Sequence, residues 1–104
     1  DLLRMLVDSF ADELDEMQQL IELEDFPQLE HVLHRLYGAT RYVGAPTLQK
    51  VTGGFEQFVS TLRKERRKAD ENFVQDVLKY FDELKAVVEQ VEQAAQQILK
   101  QHLN

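Results

Sequence analysis

At 104 residues with 43% hydrophobic content, the chain can furnish one domain with one core, and two domains would be starved of apolar residues. A formal net charge of -7 on 30% charged residues disfavours nucleic acid and anionic membrane as partners, and the absence of cysteine removes disulfide and thiolate chemistry. No apolar run approaches the roughly 18 residues of a membrane span and no signal-peptide pattern opens the chain, so a soluble cytoplasmic domain over residues 1–104 is expected, without direct membrane contact. Because the sequence begins inside a helical pattern, it is also expected to be a piece of a longer protein.

The first predicted helix covers 2–23, with Leu3, Leu6, Phe10, Leu14, Met17 and Ile21 recurring at threes and fours. A break at Glu24-Asp25-Phe26-Pro27 follows, where Asp25 can accept amide hydrogens and Pro27 suits a first turn. The second helix, 26–44, turns Leu29, Leu33, Leu36, Thr40 and Val43 inward and is expected to end at Gly44, a residue that readily takes positive φ. Pro46 opens the third, 46–65, with Leu48, Val51, Phe55, Val59 and Leu62 on one stripe. The basic run Arg63 to Lys68 reads as a solvated helix end, where cations offset the helix dipole. Asp70 caps a fourth helix, 70–102, carrying Phe73, Val77, Tyr80, Leu84, Val88, Val91, Ala95 and Ile98. At about 1.5 Å per residue it approaches roughly 48 Å, so its end should overhang. Four amphipathic helices with short connections predict an all-α, antiparallel up-down four-helix bundle.

His34 departs from this core logic. At about 100° per residue it points well off the apolar stripe of its helix, beside Gly38 and Arg41, and should face solvent. Between His31 and Phe55 there is no acidic residue, although the chain holds 19, while Arg35, Arg41 and Lys50 lie in that stretch. An exposed imidazole in a basic zone suits transient negative charge, and the anionic group a histidine can carry is a phosphoryl group.

Other chemistries find no support. Gln28, His31 and Leu99 stand three residues before the three histidines, so no Glu-x-x-His pair exists for a di-metal site. His31 and His34 lie one turn apart, but spacing places no further ligand, and no metal is expected. Without a phosphate loop or kinase signature the chain has no means of holding ATP.

The stretch from His34 to Glu56 resembles the signature of histidine-containing phosphotransfer domains of bacterial phosphorelays. The likeness rests on His34, Leu36 and Gly38, on small Ala39 and Thr40, and on Gly44-Ala45, Leu48 and Glu56 at the family spacing. With Asp25-Phe26 and the four-helix total it extends over nearly the whole chain. The form His-Arg-Leu-x-Gly-Ala-Thr-Arg-Tyr-x-Gly most resembles the C-terminal module of BarA/GacS-type hybrid sensor kinases.

That resemblance implies that His34 accepts a phosphoryl group from a receiver-domain aspartate and passes it to the aspartate of a response regulator. The module would need no cofactor, since magnesium belongs to the receiver. Gly38 would clear the approach of the partner, as would Gly53 from the third helix. Tyr37 stands where most relatives carry Lys, so Arg41 or Lys50 would supply the positive field and the Tyr37 hydroxyl a hydrogen bond. Glu56 falls where a side chain holds the imidazole Nδ1 hydrogen and leaves Nε2 free. Arg35, Val43, Ala45, Gly53 and the surface of the first helix would dock the receiver. A monomeric module within the cytoplasmic part of a membrane-bound sensor kinase is the expectation; its rival is a helical-bundle interaction or dimerisation module whose histidine is never phosphorylated.

Overall fold

Residues 2–103 are described by the computed structural model, with side chains over 4–101, so the expectations for Leu3 and for the side chain of His102 lie outside the described residues. Four helices follow one another: α1 Leu2–Glu22, α2 Phe26–Thr40, α3 Pro46–Lys64 and α4 Glu71–Leu103. The starts of α2 and α4 follow from local chemistry. Asp25 Oδ1 accepts the Gln28 amide at 3.3 Å, and Asp70 Oδ1 accepts the Phe73 amide at 2.8 Å, each satisfying a donor with no partner inside its helix.

The second helix ends four residues earlier than the periodicity predicts. Thr40 Oγ1 donates to the Tyr37 carbonyl at 2.6 Å, and the Tyr42 and Val43 amides reach back only three residues, to Ala39 and Thr40. The chain therefore tightens into a turn, which Gly44 closes with φ +67. Val43 still packs against the core from that turn, so an apolar pattern continues where the helix does not.

Each helix packs on its chain neighbours and α4 closes onto α1. Ion pairs and ring contacts fix the antiparallel sense: Arg35 meets Glu13, Glu30 meets Arg63, and Phe55 stacks on Tyr80 while Phe58 stacks on Phe73. Phe10 and Met17 from α1, Leu29, Leu33 and Leu36 from α2, Leu48 and Phe55 from α3, and Phe73, Val77 and Leu84 from α4 are buried together. Each such side chain contributes about 1.5–3 kcal/mol on leaving water, which makes the bundle a stiff platform for its outer faces. Ile98 is 47% exposed, as expected of a helix that overruns its neighbours in a body 53 Å long. No described helix is long and apolar enough to cross a membrane.

Candidate functional site

Leu33 and Leu36 anchor α2 in the core, and the 3.6-residue period then turns His34 outward with its side chain 78% exposed. Its Nδ1 lies 2.7 Å from Glu56 Oε1 across the α2–α3 seam. An ionised carboxylate can only accept, so Nδ1 carries the proton and donates, leaving the Nε2 lone pair directed away from Glu56. The pair thus fixes both the tautomer and the ring orientation.

One turn along, the Tyr37 ring lies across α3 at Gly53. A Cβ on Gly53 would meet Tyr37 Cε2 at 3.0 Å, whereas one on Gly38 would project into open space. The two glycines therefore do different work: Gly38 leaves the flank of His34 clear, and Gly53 seats the tyrosine. Gly53, expected to clear a partner's path, thus has a packing role as well, while still lining the open hollow beside His34. Arg41, at the C-cap of α2, places its guanidinium 5.8 Å from the Tyr37 ring centroid, within cation–π range.

His34, Tyr37, Gly53 and Glu56 share a shallow depression of about 450 Å³ whose rim continues through Glu30, His31, Gln57, Ser60, Arg63 and Lys64. Among the described residues there is no cluster of three or more metal-ligating side chains. The arrangement presents a nucleophilic nitrogen, oriented by one carboxylate, on an open surface that a protein partner can cover.

The family model of the Hpt domain matches residues 1–101. The chain belongs to the Hpt domain family. Searches of curated proteins and of solved structures returned no match. Hpt domains are phosphotransfer modules of phosphorelays, have no ATP site of their own, and interact with receiver domains.

In this Hpt domain the remaining expected site residues part company. The Arg35 guanidinium gives Nε and Nη2 to the two oxygens of Glu13 at 3.2 Å each and a further 3.2 Å contact to Glu16. Those partners, Glu13 first, hold its pKa above the ordinary arginine value. Arg35 therefore stitches α1 to α2, and its charge is matched by carboxylates instead of standing free for docking. Val43 and Ala45, expected to dock the receiver, are half-buried and pack against the core at the α2–α3 corner. Lys50 opens on a neighbouring hollow that shares Tyr37, Gly53 and Gln57 with the His34 depression.

The basic zone read from the sequence is also redrawn. The stretch around His34 is free of acids along the chain, but Glu30 and Glu56 border it in space. Arg63 and Lys64 join the same depression from the end of α3, although their run reads in sequence as a solvated terminus. Their spacing from Glu56, seven and eight residues on a helix, is the signal that puts all three on one side.

Proposed function

We propose that this Hpt domain carries the phosphoryl group of a multistep phosphorelay on Nε2 of His34, receiving it from the aspartyl phosphate of one receiver and donating it to another. The observation that carries this reading is the 2.7 Å contact of Glu56 with Nδ1 of an exposed imidazole. The Nε2 lone pair attacks phosphorus, the P–O bond to the receiver aspartate breaks, and the aspartate leaves as carboxylate. The Nδ1 proton stays between the ring and Glu56, whose negative charge balances the positive charge the ring acquires. The reverse sequence returns the group to a second aspartate. Magnesium and acid groups are supplied by the receiver, and open access around Gly38 admits it.

A place within a cytoplasmic portion of a hybrid sensor kinase of the BarA/GacS type fits the form of the His34 to Gly44 stretch, and a monomeric domain fits transient docking. The test is label transfer from a panel of phosphorylated receivers to the purified chain. An acid-labile, base-stable adduct is expected in the parent and none in His34→Gln. Equal labelling of both chains removes His34 as the acceptor, whereas binding of receivers that is indifferent to His34 and never accompanied by transfer favours the interaction-only bundle.

A further inference from the structure

Tyr37 stands one turn beyond His34 and brings no charge, so the counter-charge for a phosphoryl dianion must come from elsewhere. Besides Arg35, which is engaged by Glu13 and Glu16, four cations lie within a few turns of His34: Arg41, Lys50, Arg63 and Lys64. Arg63 Nε is held by both oxygens of Glu30, at 3.2 and 3.3 Å. Arg41 sits over the outer ring of Tyr37 and is not among the residues that line the His34 depression. Lys50 opens on the adjoining hollow, with Tyr37 and Gly53 at the shared border.

Of these four, Lys64 alone combines three features. It lines the same depression as His34 and Glu56, its side chain is exposed, and it forms no ion pair among the described residues. Helix geometry adds direction. Side chains lean toward the N-terminus of their helix, so Lys64, which follows Glu56 on α3, leans back toward the His34 site, whereas Lys50, which precedes it, leans away. The rise from Glu56 to Lys64 is about 12 Å, a span shared between a lysine reaching back and a phosphorylated imidazole reaching out.

We infer that Lys64 is the cation that meets the phosphoryl group on His34, taking the part that Tyr37 cannot play. This rests on the phosphotransfer reading above. The lysine is poised on the open rim, so it neutralises the arriving dianion without first breaking a pair with a carboxylate, as Arg63 would have to do.

The experiment uses phosphoramidate, a small anionic donor that needs no receiver docking, and follows phosphohistidine formation by 31P NMR in the whole chain. Lys64→Gln should slow labelling about three- to tenfold and flatten its dependence on salt, the effect of removing one charge at a solvent-facing site. Lys64→Arg should restore most of the rate, and circular dichroism should show unchanged helix content in both. Lys50→Gln and Arg41→Gln should stay within about twofold of the parent. A Lys64→Gln chain that labels at the parental rate with the parental salt dependence overturns the inference, as does a loss confined to Lys50→Gln or Arg41→Gln. A parent chain labelled neither by phosphoramidate nor by any phosphorylated receiver sinks the phosphotransfer reading itself.

Discussion

The two seams of α2 put neighbouring residues to opposite uses. On the α1 side, Arg35 is gripped by Glu13 and Glu16, one guanidinium meeting two carboxylates through three contacts of 3.2 Å that hold two helices together. On the α3 side, His34 is held at one nitrogen by one carboxylate, and its other nitrogen remains available. A fully satisfied charge is structural and a half-satisfied ring is reactive. The same backbone turn presents both, because consecutive helical residues point about 100° apart.

Substitutions at Leu33, Glu56 and Arg35 separate the platform from each seam. Leu33→Ala removes a wholly buried side chain from beneath both and should lower unfolding stability by about 2–5 kcal/mol in urea titration. A loss below about 1 kcal/mol would mean that the seams, not the core, hold α2 in place. Glu56→Ala should leave the fold intact while slowing labelling by about tenfold, the rate equivalent of one charge-assisted hydrogen bond at a part-exposed site. Glu56→Gln, which keeps an acceptor, should recover much of that rate; a Gln variant as slow as the Ala variant would show that charge, and not ring orientation, is what Glu56 supplies.

Arg35→Ala should have the smallest effect, a stability loss of about 0.5–1 kcal/mol that salt reduces, since the guanidinium and Glu16 are exposed although Glu13 is half-buried. Its labelling rate should stay within about twofold of the parent. Because the pKa of Arg35 is raised by its partners, the favourable term is complete below the unfolded-state value and disappears only as pH climbs through the still higher folded-state value. The penalty should therefore be flat from about pH 6 to pH 9, where the guanidinium is charged in both states. A penalty that changes across this window would point to a titrating neighbour and break the distinction between the seams.

Much of this architecture can be read along the chain because its signals are local. The spacing of Phe10, Met17 and Ile21 or of Leu29, Leu33 and Leu36 is enough to orient a helix, and Asp25 and Asp70 mark helix starts through contacts only a few residues long. The α2 terminus is the exception: Val43 keeps the apolar rhythm while Thr40 and the tightened amides turn the backbone away. Thr52 and Ser60 escape a hydrophobicity reading because their hydroxyls are satisfied within α3, by the carbonyls of Leu48 and Gln57, and so can be buried at little cost.

The site divides along the same line. That His34 faces water follows from periodicity, since the angle between a histidine and its own helix's apolar stripe is fixed by the backbone. That Arg35 is spent on Glu13 and Glu16, that Arg63 is taken by Glu30, that Gly53 receives the Tyr37 ring and that Lys64 shares the hollow of His34 were decided only when the helices packed. Those relations join residues far apart in the chain, and no local period encodes which charge will face which across a seam. Helix-forming pattern set the direction of the imidazole; register between helices set its company.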